Sequence, residues 1–149
     1  MLREGKKVTV PGKGESMLPF IVGGVDSVVL EGVDGGSPAG TVLRTANVGD
    51  VVLFRADGRF ILHRIIYKDN DKALCEIQGD GILRAKDLCD CDQIYGRVTT
   101  VLKGGVTPVD VDSPSYRRKV WLLMNTVLVR RILLWVWKRF FMRTWITRA

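Results

Sequence analysis

Ser16 and His63 carry the side chains with which this chain could break an acyl bond. A serine hydroxyl is a poor nucleophile until a base takes its proton, and a neutral imidazole is the usual base near pH 7. Ser16 stands in Gly14-Glu15-Ser16-Met17-Leu18-Pro19-Phe20, and His63, the single histidine of 149 residues, stands in Leu62-His63-Arg64-Ile65-Ile66. Asp80 follows in Ile77-Gln78-Gly79-Asp80. A carboxylate in that third place can fix the imidazole tautomer and stabilise its cation. The order points to acyl transfer, with Ser16 as nucleophile, His63 as general base and Asp80 as orienting carboxylate. Each residue also has a plainer reading: Ser16 caps a turn after Gly14, His63 packs in an apolar strand, and Asp80 is a turn residue in Gly79-Asp80-Gly81.

Strands are expected to position these groups. Val8 to Val10, Asp26 to Leu30, Val51 to Arg55, Phe60 to Tyr67, Ala73 to Gln78 and Ile94 to Leu102 are short apolar runs. Turn residues separate them, and Asp57-Gly58 between two such runs is a hairpin signal. The loop at Asp34-Gly35-Gly36-Ser37-Pro38 reads as the tip of a β-ribbon. This spacing predicts an all-β domain over residues 1–113. After Pro114 the pattern changes: from Ser115 to Thr147 no Gly or Pro interrupts the chain, which predicts one long helix or two abutting helices over 114–149.

Five blocks, in order, resemble signal peptidase I, in the branch of the endoplasmic reticulum, archaea and some Gram-positive bacteria that pairs serine with histidine. They are Gly14-Glu15-Ser16-Met17-Leu18-Pro19, Gly49-Asp50-Val51-Val52-Leu53-Phe54, His63-Arg64-Ile65-Ile66, Gln78-Gly79-Asp80 and Ile94-Tyr95-Gly96-Arg97-Val98. The resemblance spans about two thirds of the chain, residues 10–103. It implies a signal-peptidase/LexA-like all-β catalytic domain, mainly β, and a serine endopeptidase that cleaves signal or leader peptides bound extended along a strand edge. Met17 and Pro19 would shape the elbow and the substrate pocket, and backbone N–H groups around Ser16 would form the oxyanion hole. Common bacterial members add a hydroxyl two residues before the nucleophile; Gly14 occupies that position here. The family's acidic pair soon after Gly-Asp is also absent, and Asp87 is the first carboxylate after Asp80. That departure leaves a second reading: a catalytically degenerate relative that binds peptides or serves as a scaffold. A self-cleaving LexA-type repressor is disfavoured, because that family uses a lysine base and carries a DNA-binding unit ahead of its protease domain.

Charge separates the tail from the domain. The net charge is +7, yet residues 115–149 hold nine Lys/Arg and no Asp or Glu, which leaves 14 basic against 16 acidic residues elsewhere. All four tryptophans (Trp121, Trp135, Trp137 and Trp145) also lie there. A basic, Trp-rich apolar helix suits a membrane surface, and it is too apolar for a solvated nucleic-acid reader. The apolar run from Val120 to Trp137 contains Arg130 and Arg131. Each would cost about 2.5–3.5 kcal/mol near a bilayer centre, so the tail is expected to lie in the interface. Docking on a partner protein or on a second copy stays open. Leu122, Leu123, Leu133, Leu134, Trp137, Phe140 and Phe141 gather on the apolar side at helical period, and Arg130 and Lys119 interrupt it. Three cysteines, Cys75, Cys89 and Cys91, with no apolar leader ahead of the domain, suggest reduced thiols and a peripheral position that favours the cytoplasmic side. The outer face remains the alternative. Cys89-Asp90-Cys91 is poor zinc spacing, and no metal or cofactor is expected.

Overall fold

The computed structural model of the chain describes residues 7–14, 16–32, 46–69, 71–72, 74–82, 86–90 and 93–146. The expected ribbon tip at 34–38 and Cys91 lie outside them. The described chain is mainly antiparallel β-sheet with two C-terminal helices. The strands are β1 (Lys7–Pro11), β2 (Ser27–Gly32), β3 (Val51–Ala56), β4 (Arg59–Asp69), β5 (Leu74–Gln78), β6 (Asp87–Asp90), β7 (Ile94–Lys103) and β8 (Thr107–Asp110). They form one sheet in the order β1-β2-β7-β3-β4-β5-β6, with β8 paired to β7. Two strands, β6 and β8, were not among the expected runs: each is four residues long, with polar residues that give little alternating signal.

The β3–β4 hairpin closes as its Asp-Gly dipeptide requires. Ala56 pairs with Arg59 across Asp57 and Gly58, which take φ values of 50° and 75°. Such a two-residue turn needs positive φ at both positions and matches the twist of the strands. Alternation along β3 then serves two cores. Val52 and Phe54 pack with Ile65, Cys75, Ile77, Cys89 and Ile94 on one face of the sheet. Val51 and Leu53 join Met17, Val28, Leu30, Val98 and Val101 on the other.

The first helix, α1 (Pro114–Asn125), starts as Ser-Pro predicts, with the Ser113 hydroxyl accepting the Tyr116 N–H and proline in the first turn. Its Tyr116 and Val120 belong to the second core, so α1 is packed on the sheet although it lies beyond residue 113. Asp50 ties it down. This buried carboxylate accepts from Arg117 at 2.6 Å, and Arg97 stands 3.6 Å from it. At Thr126 the backbone turns extended, and α2 (Val127–Ile146) sets off. The axes of α1 and residues 130–140 differ by 104°. Among the described residues no single helix is long and apolar enough to cross a membrane. The expected apolar side of the tail is divided: Leu123 and Leu134 are buried, whereas Leu122, Leu133 and Phe140 are exposed.

Candidate active site

Ser16 opens the turn that follows β1. Met17, Leu18 and Ile21 are buried, and Met17 and Ile21 hold the loop on the second core. Asp26 fixes the far end of the loop. Its carboxylate accepts from Val22 N–H at 2.9 Å, Gly104 N–H at 3.0 Å and Lys103 Nζ at 2.9 Å, and Lys103 also donates to the Phe20 carbonyl. Burial alone would raise the pKa of Asp26; these donors reverse that and hold it below its ordinary value. Glu15 is not among the described residues.

Ser16 meets the β5–β6 loop through its main chain. Gly81 N–H donates to the Ser16 carbonyl at 2.8 Å. A Cβ placed on Gly79 would lie 2.4 Å from that same carbonyl oxygen and 3.1 Å from His63 Nε2. Gly79 is thus the point on which the serine turn and the imidazole converge, and only glycine leaves room for both.

Register explains which carboxylate each neighbour receives. Cross-strand partners share a face, and successive residues alternate. His63 pairs with Val52, Ile65 with Ile77, and Ile77 with Asp87; these positions all fall on one face. Arg64 and its partner Gln78 fall on the other. His63 Nδ1 accordingly lies 3.5 Å from Asp87 Oδ2, and its ring sits 5.7 Å from that of Phe54. At 3.5 Å the contact is an ion-pair distance rather than a formed hydrogen bond, and among the described residues His63 Nδ1 has no bonded partner. Asp80, expected to orient His63, instead binds Arg64 bidentately, at 2.7 Å from Nε and 2.7 Å from Nη2. Arg64 also donates to the Gly49 carbonyl at 2.6 Å and lies 5.2 Å over the Phe20 ring. Asp80 contributes to the field at His63 without touching it.

The electrostatics favour a base. Burial pushes His63 below its ordinary pKa, against the opposing pull of Asp87 and Asp80, so the imidazole is neutral at pH 7. Burial would also discharge Arg64, yet the Asp80 carboxylate outweighs it and raises the guanidinium above its ordinary value. Arg64 therefore keeps its charge where it meets the buried Asp80.

An apolar groove of about 780 Å³ runs beside Ser16. One wall is β1, through Val8 and Val10; the other is the β3–β4 hairpin, through Leu53, Phe60 and Leu62. These strands are not neighbours in the sheet, so the sheet curls to bring them together. Met17 lines this groove, and Pro19 is not among its described lining residues. The Leu18–Pro19 peptide is cis. Among the described residues no His/Cys/Asp/Glu group could hold a metal ion.

Asp87 and Arg64 are the site residues that residue order alone does not reveal. The signal for Asp87 was the register of a four-residue strand, and for Arg64 the parity that places it opposite His63. Comparison of the chain with protein-family models, curated proteins and solved structures gives no match.

Proposed function

We propose that this protein is a serine endopeptidase resembling signal peptidase I, with a LexA-like catalytic fold, that cleaves signal or leader peptides. The observation that carries the reading is the convergence of the Ser16 turn and the His63 Nε2 atom on Gly79, with His63 kept neutral by burial. In this reading His63 Nε2 takes the Ser16 hydroxyl proton as Oγ attacks the scissile carbonyl. The tetrahedral oxyanion collapses, the C–N bond breaks, and His63 returns the proton to the leaving amine. Water then attacks the acyl-enzyme with His63 again as base, releasing the acid and restoring Ser16. Asp87 stabilises the imidazolium that forms in each step. Asp80 holds Arg64 and so shapes the loop instead of orienting the base.

Among the described residues β1 stands at one edge of the sheet, which supports a binding mode. An extended peptide would add to it as a further strand, with apolar side chains entering the groove between β1 and the β3–β4 hairpin. The tail supports a location. Leu128, Ile132 and Trp135 are exposed on α2 at spacings that share one helix face, and Arg131, Lys138 and Arg139 are exposed beside them. Such a face fits an anionic lipid surface, which would bring the groove to membrane-bound leaders.

The unbonded Nδ1 of His63 favours the second reading, a peptide-binding relative without turnover. Cleavage of a signal-peptide substrate in the presence of lipid decides between them. Turnover by the intact chain that disappears in both Ser16→Ala and His63→Ala establishes the peptidase. Peptide binding with no turnover and no labelling of Ser16 by a fluorophosphonate establishes the binder.

A further inference from the structure

Arg130 interrupts the apolar side of the tail, and its guanidinium turns away from solvent onto the loop beside His63. Nε donates to the Asp80 carbonyl at 2.8 Å, Nη1 to Gln78 Oε1 at 3.1 Å, and Nη2 to the Gly79 carbonyl at 2.7 Å and to the Ile82 carbonyl. One side chain from α2 thus gathers four acceptors across five consecutive residues, some 50 positions earlier in the chain. Leu134, one turn further along α2, is buried, so the helix is seated on the body at this point. The location is not one a cation takes for solvation: burial, and to a smaller extent the neighbouring Arg64, lower the pKa of Arg130 against the opposing pull of Asp80.

The loop it holds is the one that meets the reacting pair. Gly79 abuts both the Ser16 carbonyl and His63 Nε2, Gly81 N–H binds the Ser16 carbonyl, and the Asp80 carboxylate is fastened to Arg64. Arg64 secures the side chain of this loop; Arg130 secures its carbonyls. We propose that Arg130 is a positioning residue for the Ser16/His63 site, so that the C-terminal helix is a structural part of the peptidase centre as well as its membrane contact. This rests on reading Ser16 and His63 as the reacting pair. A planar guanidinium presents diverging N–H groups that an ammonium cannot reproduce, so lysine at this position would keep the charge and lose the fork.

The test compares the full-length wild type with Arg130→Ala and Arg130→Lys. The readouts are fluorophosphonate labelling of Ser16, kcat and KM on a signal-peptide substrate, and hydrogen exchange over residues 78–82. Small displacements of a reacting group cost up to about 10²-fold. Arg130→Ala is therefore expected to lose one to two orders of magnitude in kcat, roughly that scale. KM should be unchanged, because Arg130 is not among the described residues that line the groove. Exchange over 78–82 should accelerate, and millimolar ethylguanidinium should restore part of the rate. Arg130→Lys should fall between the two without rescue, and it keeps the test decisive if the alanine variant does not fold. Unchanged labelling, kcat and loop exchange in Arg130→Lys and in a folded Arg130→Ala would overturn the proposal and leave the peptidase reading intact. A wild type that neither labels nor cleaves would overturn both.

Discussion

Ser16 and Gly79 are in backbone contact: a single methyl group on Gly79 would sit 2.4 Å from the Ser16 carbonyl oxygen. The serine turn and the β5–β6 loop therefore cannot be moved independently. His63 Nε2, 3.1 Å from the same point, completes a three-way junction drawn from residues far apart in sequence.

Gly79→Ala tests that junction directly. The neighbour met is a main-chain oxygen, which cannot swing aside as a flexible side chain could. The variant is expected to lose stability by at least the roughly 1–3 kcal/mol of an overpacked site, read as a lower urea midpoint with unchanged slope. Peptide cleavage should be abolished even where the protein remains folded, because either Ser16 or His63 must shift. Retention of both stability and activity would show that the junction is looser than this contact requires.

The pH dependence follows from the direction in which His63 is shifted. Burial lowers its pKa in the folded protein, so the base form persists below the pH at which an exposed histidine would protonate. kcat/KM is expected to rise along an acid limb with a pKa below the ordinary 6.5 for histidine and to be flat above it. Stability moves in the same direction. Between the folded and unfolded pKa values the unfolded chain binds the extra proton, so the contribution is whole above the unfolded value and lost as pH falls toward the folded one. With one histidine in the chain, its ring resonance in a Ser16→Ala background reports that pKa without assignment by mutagenesis. A value above that of a free histidine would contradict the burial argument.

Asp80 and Asp87 are expected to separate cleanly. Asp80→Ala leaves Arg64 as an uncompensated buried cation, a loss of about 3–5 kcal/mol, and chemical denaturation should show it. Asp87 is half exposed, with 54% of its side chain open to solvent, so Asp87→Asn should leave the midpoint almost unchanged. It removes a charge that raises the His63 pKa, so the acid limb should move to lower pH while kcat drops about tenfold, ~1.4 kcal/mol of transition-state stabilisation. If Asp80→Asn rather than Asp87→Asn displaced the acid limb further, Asp80 would be the orienting group after all.

Much of this architecture was legible because it rests on local signals. Asp57-Gly58 between apolar runs fixes a hairpin, and Ser113-Pro114 fixes a helix start, whatever lies elsewhere. Ser16 and His63 stand out as a pattern of residue types, whereas the place of Gly79 against both depends on tertiary packing. Asp87 was not legible, because its position beside His63 depends on the register of β4, β5 and β6 together, and β6 is too short and polar to announce itself. The same limit applies to Arg130. Its charge reads as an obstacle in an apolar helix until the helix is placed against the 78–82 loop, whose carbonyls supply the partners.

The membrane reading makes the last prediction. The exposed face of α2 combines Leu128, Ile132 and Trp135 with Arg131, Lys138 and Arg139, and residues 115–149 contain no acidic residue. Apolar insertion and charge attraction should both contribute, with each basic residue near an anionic surface worth about 1 kcal/mol. Co-sedimentation is expected with vesicles containing phosphatidylglycerol and not with pure phosphatidylcholine, and it should weaken as salt shortens the reach of the charges. Trp135→Ser should reduce binding at every salt concentration, since it removes exposed apolar area that would insert into the bilayer interface. Lys138→Glu with Arg139→Glu should reduce binding most strongly at low salt, where attraction dominates. Neither change touches the 78–82 loop, so hydrolysis of a soluble peptide should be unaltered in both. Equal binding of the wild type to neutral and anionic vesicles would remove the electrostatic part of this reading, and binding to neither would assign this face to a protein partner or to a second copy of the chain.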